Sequence, residues 1–203
     1  MKIVTLYTTM LETDTYVVIN GGRAFVVDPG ADAERIIAAA EAEGAKIEWV
    51  LLTHAHFDHI GAAAALHREG AQIVLHRDDV KLIKSFQNLS VLAGVKVEHF
   101  TPDVTVAGGE TLDVAGVSVK VIHTPGHTAG SVCYVAGDVI FSGDTLFALS
   151  YGRTDFPTGS FAQLKNSIVN KLFALEGDYK VLPGHEGPTT LDYERAHNPI
   201  LTD

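Results

Sequence analysis

The chain has 203 residues, long enough to bury a sizeable core, and we expect one domain over residues 1–203. Hydrophobic residues make up 46% and charged residues 20%, a balance too apolar for a disordered chain. The formal charge is -10 and Lys and Arg form no cluster, which argues against a nucleic-acid partner.

The cysteine content and the first residues indicate a compartment. A single cysteine, Cys133, excludes an intrachain disulfide. The opening residues lack the long apolar run of a secretory signal or a membrane span. We therefore expect a cytoplasmic protein without a membrane partner, and the oligomeric state stays open.

In the first half, the pattern predicts strands followed by helices. β-branched residues around the Gly21-Gly22 turn predict an antiparallel meander at 3–9, 15–19 and 24–27. Asp32 as an N-cap and Gly44 as a stop bound a helix. A strand at 49–52, a helix at 60–68, a strand at 73–75 and a helix at 78–84 follow. Residues 85–94 have no clear period and predict a loop over a pocket.

In the second half, short strands are predicted at 104–106, 110–114, 117–122, 131–135 and 139–142. Ser160 and Gln163 predict the start of a helix with an apolar face through residue 175. A strand at 181–182 and a terminal helix at 189–197 complete the chain. Two strand-rich halves with helices indicate two sheets packed face to face, with helices on both outer sides.

Four segments carry potential metal ligands, and each directly follows an apolar strand-like run: THAHFDH (53–59), TPGHT (124–128), SGDT (142–145) and PGHEG (183–187). His54 and His56 are two positions apart, so in an extended backbone both imidazoles project to one side and can bind one ion. Asp58 and His59, where the next helix begins, can face a second ion.

Each of these residues also has an ordinary explanation when it is taken alone. Asp58 suits a helix N-cap, Asp144 a turn cap, and His127 or His185 a hydrogen bond to a backbone carbonyl. Their shared placement after strands favours a common pocket. Five histidines and two carboxylates, without a thiolate, suit zinc, iron or manganese and exceed what one tetrahedral ion can use.

These motifs, in this order and over nearly the full length, resemble the metallo-β-lactamase superfamily. The resemblance implies an α/β (α+β) fold, the four-layer αββα sandwich of the metallo-β-lactamase type. It implies two divalent ions, zinc first, with iron or manganese as alternatives. His54, His56 and His127 would hold the first ion. Asp58, His59 and His185 would hold the second, and Asp144 would bridge both.

Within that superfamily, HTPGHTAGS, SGDTLF, YGRTDFP and PGHEGPTT are similar to segments of the short glyoxalase II-like hydrolases, which are hydroxyacylglutathione hydrolase-like. The resemblance implies a small thioester or ester substrate such as S-lactoylglutathione, attacked by a water that the ions activate and Asp58 orients. Because the sequence ends soon after His185, we expect it to lack the C-terminal helical region that contributes glutathione contacts in full-length glyoxalase II.

Further residues are candidates for substrate contact or for supporting roles. Tyr151, Arg153 and Asp155 follow Asp144 closely enough to line the pocket mouth, although an Arg153–Asp155 ion pair that only orders the loop explains them equally well. Cys133, in an apolar run, is expected to be a buried hydrophobe. His123 suits either a contact that orients a metal-binding residue or a purely structural hydrogen bond. His67, His76, His99 and His197 have no ligand-like context.

Two other functions remain open from the sequence. GRTDF also resembles the persulfide dioxygenases, which use a single iron held by two histidines and an aspartate. Here Pro157, rather than a glutamine, follows that motif and favours the hydrolase. A non-catalytic metal-binding protein is the second alternative, and the retention of all seven donors argues against it.

Overall fold

The strands in the first half have apolar side chains on both faces. In β2 (Thr13–Asn20), Val17 and Ile19 face one side, and Tyr16 and Val18 face the other. Successive side chains of a strand point to opposite faces, so such a strand must be covered on both sides. The computed structural model, which describes residues 1–202, shows what covers each face.

Six strands form the first sheet, and three of them are the antiparallel meander that the sequence predicts. The first three pair antiparallel and the last three are added in parallel. The order across the sheet is β1 (Lys2–Thr8), β2, β3 (Arg23–Val27), β4 (Lys46–Leu51), β5 (Gln72–His76) and β6 (Val104–Val106).

A second sheet of six strands faces the first. Its strands are β7 (Thr111–Val114), β8 (Val117–His123), β9 (Val132–Ala136), β10 (Val139–Gly143), β13 (Lys180–Pro183) and β14 (Thr189–Thr190). The order across the sheet is β14-β13-β10-β9-β8-β7, with β10 and β13 parallel. A two-stranded ribbon, β11 (Leu146–Phe147) and β12 (Ser150–Tyr151), connects β10 to the helix that precedes β13.

Helices cover the outer face of each sheet. They are α1 (Ala33–Glu41), α2 (Phe57–Ile60), α3 (Ala63–Arg68), α4 (Ser90–Ala93), α5 (Phe161–Ser167) and α6 (Leu191–His197). Ile36 of α1 and Leu66 of α3 pack on the first sheet. Leu164 of α5 and Leu191 of α6 pack on the second. Within residues 1–202, no helix is both long and apolar enough to cross a membrane.

The core between the two sheets is rich in aromatic side chains. Phe141 of β10 packs against Tyr16 with ring centroids 5.4 Å apart and against Phe25 of β3 at 6.4 Å. Tyr134 of β9 is fully buried in the same cluster. Helix, sheet, sheet and helix therefore form four layers, which confirms the predicted αββα architecture.

The predicted helix at 60–68 is interrupted. α2 ends at Ile60 and α3 begins at Ala63, because the 29–30 turn lies against this point. A Cβ at Gly61 would collide with the carbonyl oxygen of Gly30. The Ala62 N–H donates to the Pro29 carbonyl at 2.9 Å.

Three other predicted segments differ from the structure in detail. Residues 78–84 form two 3-10 turns, Arg77–Asp79 and Leu82–Lys84, rather than one helix. Residues 85–94 contain a 3-10 turn and the short α4, separated by Leu89 with a φ of 67°. The terminal helix starts at Leu191, because Thr189 and Thr190 pair with β13 instead.

A test of the inter-sheet core is Phe141→Ala. We expect it to lower the free energy of unfolding by about 3–5 kcal/mol, since it leaves a cavity beneath two aromatic rings. Urea denaturation measures this change. The matched control is Phe86→Ala, where the side chain is 73% exposed and a change within about 0.5 kcal/mol is expected. Equal losses in both variants would contradict the assignment of Phe141 to the core.

Candidate metal centre

The predicted donors lie on loops, and in the short helix α2, at one end of the two facing sheets. The first loop follows β4, and the others follow β8, β10 and β13. The Gly184 N–H donates to the Gly143 carbonyl at 2.9 Å, which ties the third loop to the fourth. The Val132 N–H donates to the Thr53 carbonyl at 2.8 Å and joins the two sheets at the same place. Residues far apart in sequence therefore meet here.

Three buried histidines form one cluster. His54, His56 and His127 each present a ring nitrogen, and these atoms lie within 4.8 Å of one another. His56 Nδ1 and His127 Nε2 are 2.8 Å apart. Such a group of imidazole nitrogens can hold one metal ion.

A second cluster lies beside the first. Asp58, His59 and His185 also present ligand atoms within 4.8 Å of one another. The Oδ2 atom of Asp58 lies 3.3 Å from His185 Nε2 and 3.4 Å from His59 Nε2. This cluster mixes a carboxylate with two imidazoles, a donor set that suits a second ion.

The carboxylate of Asp144 stands between the two clusters. Its Oδ1 is 3.4 Å from His59 Nε2, and its Oδ2 is 3.4 Å from His127 Nε2. A Cβ on Gly184 would collide with Oδ1 and lie 2.7 Å from His59 Cε1, so a larger residue at this position would displace two of the predicted donors. The structure thus brings all seven predicted donors together.

Hydrogen bonds behind the clusters orient three of the histidines. The Nδ1–H of His127 donates to the Arg153 carbonyl at 2.7 Å, and that of His185 donates to the Leu11 carbonyl at 3.2 Å. His59 Nδ1 is 2.9 Å from the carboxylate of Asp28. Each outer contact leaves the Nε2 atom turned towards the clusters, the arrangement that metal-binding histidines typically have.

Several buried polar atoms at the clusters lack a hydrogen-bond partner among the described residues. They are His54 Nε2, His56 Nε2, His59 Nε2 and Asp144 Oδ1. A buried polar atom without a partner destabilises a fold by about 1–3 kcal/mol, so such atoms are rare and call for an explanation. Bound cations would satisfy these atoms, and the donor set therefore fits divalent metal ions.

The electrostatics differ between the two sides of the centre. Burial and the neighbouring imidazoles lower the pKa of His54 and His56 well below the usual value, so these rings are neutral, the form that binds metal. Burial alone would lower the pKa of His59, but Asp58, Asp144 and Asp28 raise it to about 10. Burial would raise the pKa of Asp58, yet His59 and His185 hold it below the usual range.

Sequence reasoning did not assign Asp28 to the site. Its carboxylate accepts from the Thr53 N–H at 2.7 Å and from Thr53 Oγ1 at 2.6 Å, besides contacting His59. It is 1% exposed and directly follows β3. This placement, a carboxylate immediately after an apolar strand, is the same signal that identified the other donors and could have identified Asp28.

A second buried carboxylate, Asp79, connects two of the ligand loops. Its Oδ2 accepts from the Ala55 N–H at 3.0 Å and from Thr128 Oγ1 at 2.8 Å, and its Oδ1 accepts from the Gly130 N–H at 2.8 Å. Burial raises the pKa of Asp79, although these hydrogen bonds act in the opposite direction. It lies in a segment that the sequence predicts to be helical, so no local signal marked it.

A cavity of about 610 Å³ opens from the metal centre to the surface. Tyr151 and Arg153 line it, as do Leu89, Leu92 and Ala93 of the segment that the sequence predicts to form a pocket wall. Asp155 is absent from its lining and instead holds the guanidinium of Arg153 through two hydrogen bonds of 2.9 and 2.7 Å.

The remaining candidate residues lie elsewhere. Cys133 is fully buried, and burial raises the pKa of its thiol to about 11, in agreement with a structural role.

His123 Nε2 donates to the Ala129 carbonyl at 2.9 Å. Its ring stacks on His76 at 4.0 Å and 15°, with Asp78 nearby, a proximity that the sequence did not indicate. The in-plane lone pairs of stacked rings run parallel and do not converge on one ion.

Comparisons with known proteins identify the family. The sequence pattern of the metallo-beta-lactamase superfamily matches residues 8–185. The chain is 36% identical to the hydroxyacylglutathione hydrolase GloC of Haemophilus influenzae over 184 residues, which cover 88% of this chain and 87% of that protein. The chain therefore belongs to the metallo-beta-lactamase superfamily.

Solved structures agree with this assignment. The crystal structure of BLEG-1 B3 metallo-beta-lactamase matches with a TM-score of 0.94 and 35% identity, covering 100% of both chains. The crystal structure of TTHA1623 in a di-iron-bound form matches with a TM-score of 0.86 and 33% identity, covering 98% of this chain and 99% of that one. The fold and the superfamily are thus shown by sequence and by structure.

The role of Asp79 can be tested with Asp79→Asn. The amide retains one acceptor and turns a donor towards an N–H or hydroxyl donor, so one ligand loop loses its anchor. We expect metal affinity to fall by about 10–100-fold, measured by competition with a chelator. The neighbouring exposed residue provides the control Asp78→Asn, for which we expect less than about a twofold change. Equal affinities for the two variants would contradict the anchoring role.

Proposed function

We propose that the chain is a binuclear metal-dependent hydrolase that cleaves a small thioester or ester, such as S-lactoylglutathione. The observation that carries this proposal is the position of Asp144, with one carboxylate oxygen near His59 and the other near His127. A carboxylate between two clusters suits a pair of ions better than a single one. The name of the Haemophilus influenzae relative supports a thioester of this kind.

In this proposal the seven donors divide as the two clusters do. His54, His56 and His127 would hold one ion, and Asp144 would bridge to the other. Asp58, His59 and His185 would hold the second ion. Seven donors exceed what one tetrahedral ion can use. Zinc is our first choice because hydrolysis needs no redox change, and the di-iron form of TTHA1623 supports iron as an alternative, beside manganese.

Bound divalent ions would supply Lewis acidity and would lower the pKa of a bound water towards neutrality. The residues of the chain position the reactants. The low pKa of Asp58 keeps its carboxylate ionised, and Thr13 Oγ1 donates to Asp58 Oδ2 at 3.2 Å. Asp58 would accept a hydrogen bond from the attacking water and so orient it. Tyr151 and Arg153 line the cavity where the substrate would lie.

We further propose that the protein works on this small molecule in the cytoplasm. A cavity of about 610 Å³ has the size of a small-molecule site rather than of a macromolecular interface. The single cysteine is free and buried, in keeping with a reducing compartment.

The metal assignment predicts different losses for two variants. Asp144→Ala should weaken the binding of both ions, because its two carboxylate oxygens face different clusters. His185→Ala should lower the affinity for the second ion alone, by about 10–100-fold. Metal content per chain, measured by elemental analysis after reconstitution with excess zinc, should be two ions for the unmodified protein. At most one ion per chain, or equal loss of both ions in His185→Ala, would contradict the binuclear arrangement.

The reaction type predicts thioester cleavage without oxygen consumption. The metal-loaded protein should hydrolyse S-lactoylglutathione, and His56→Ala should reduce the rate by about 100-fold or more because it removes a ligand of the first cluster. His99→Ala is the matched control, an exposed histidine outside both clusters, and should retain the full rate.

An oxygen electrode on the same preparation separates the alternatives. The persulfide dioxygenase alternative requires oxygen uptake with glutathione persulfide, a reaction that redox-inert zinc cannot support. Oxygen consumption without thioester cleavage would overturn the hydrolase proposal. Metal binding with no turnover of either substrate class would favour the non-catalytic metal-binding alternative.

A further inference from the structure

The outer part of the cavity is apolar. Away from the metal donors, its walls include Met10, Leu11, Leu92, Phe147 and Phe156. These residues come from separate segments: the turn after β1, the short helix α4, the ribbon and the loop that follows it. Apolar side chains from distant parts of the chain therefore converge on the same opening as the metal centre.

Some of these side chains are unusually exposed. Met10 is 71% exposed and Leu92 is 81% exposed, and both lie at the cavity mouth. Single exposed apolar residues are common, but a contiguous group beside a cavity typically marks a surface that binds an apolar ligand. Because this group continues into the cavity, the ligand that it suits is one that reaches the metal centre.

Away from the metal donors, the lining offers few positively charged side chains to an anionic substrate group. Among the described residues that line the cavity, Arg153 is the one Lys or Arg. Its guanidinium is already paired with both oxygens of Asp155 and lies 4.2 Å from the ring centroid of Phe156. Glu186 adds a negative charge to the lining, and the chain carries a formal charge of -10. Apart from the proposed metal ions, which the thioester itself would occupy, a free carboxylate such as either one of glutathione would find no unpaired Lys or Arg side chain among the described lining residues.

From this we infer that the preferred substrate is a thioester or ester with an apolar, uncharged acyl chain and an uncharged leaving group, and that Leu92 helps to bind the chain. This inference rests on the proposed hydrolase function and narrows its substrate class: S-lactoylglutathione would be cleaved, but more slowly than an uncharged, apolar thioester. In the reaction, the oxygen of water bonds to the carbonyl carbon and the carbon–sulfur bond breaks. One proton passes to the thiolate, and the products are a carboxylic acid and a thiol.

A matched substrate panel separates the acyl group from the thiol. Acetyl and hexanoyl thioesters of N-acetylcysteamine, which is uncharged, are compared with acetyl and hexanoyl thioesters of glutathione. We expect kcat/KM to rise about twofold to fourfold for each added methylene, and so at least about tenfold from acetyl to hexanoyl. For the same acyl group, the glutathione thioester should be the slower substrate. A flat chain-length profile, or faster cleavage of the glutathione thioesters, would overturn the inference.

Two variants on helix α4 test whether Leu92 contributes to the preference for long acyl chains. Leu92→Ser should reduce kcat/KM for the hexanoyl thioester by about fivefold or more and leave the acetyl thioester nearly unchanged. Val91→Ser is the control, because Val91 is 74% exposed on the same helix but does not line the cavity. An equal effect of both variants, or an equal effect of Leu92→Ser on both substrates, would contradict a binding role for Leu92.

A binding measurement keeps this inference separate from the proposed function. S-hexyl-N-acetylcysteamine and S-hexylglutathione are thioethers that cannot be hydrolysed, and calorimetry on the metal-loaded protein gives their affinities directly. Tighter binding of the uncharged thioether supports the substrate class even if no thioester is cleaved, in which case only the hydrolase proposal fails. Tighter binding of S-hexylglutathione would overturn the inference even if thioesters are cleaved.

Discussion

The buried carboxylate of Asp28 is the contact on which the metal centre depends. It accepts hydrogen bonds from the backbone N–H and the hydroxyl of Thr53 and lies 2.9 Å from His59 Nδ1. It thereby joins the end of β3 to the loop after β4 and to α2. Each buried donor left unpaired by its loss would destabilise the fold by about 1–3 kcal/mol. Since His59 contacts both Asp58 and Asp144, the orientation of one ring affects both clusters.

The layered fold explains how so many polar groups can be held together at low exposure. Strands that are buried on both faces give a rigid frame, and the loops at one end of the two sheets carry the donors. Buried imidazole and carboxylate atoms that lack hydrogen-bond partners are unfavourable in the absence of cations. Asp79 anchors two of the loops and so holds their donors close together. The two sheets therefore hold the donors in an arrangement that bound ions would stabilise.

The metal centre and the cavity mouth have separate physical requirements. The donors must converge within a few ångströms, so their identity and position leave little freedom. The mouth needs only a suitable shape and polarity, and here Met10, Leu92 and Phe156 make it apolar while Asp155 neutralises Arg153. The two parts can therefore vary independently, because the donors determine metal binding and the side chains at the mouth determine its shape and polarity.

The sequence alone indicated two sheets covered by helices, seven candidate donors and the start of the helix at Ser160, because each depends on a local pattern: short apolar strands, polar side chains directly after them, and a capping side chain. Only the tertiary structure decided the contacts made between distant segments. Asp79 reaches Gly130 across 51 positions, Gly61 interrupts a helix because it meets Gly30, and His76 stacks on His123. Such contacts depend on how the layers pack. Packing brings together residues that are distant in the chain, and the sequence around each one does not indicate its partner.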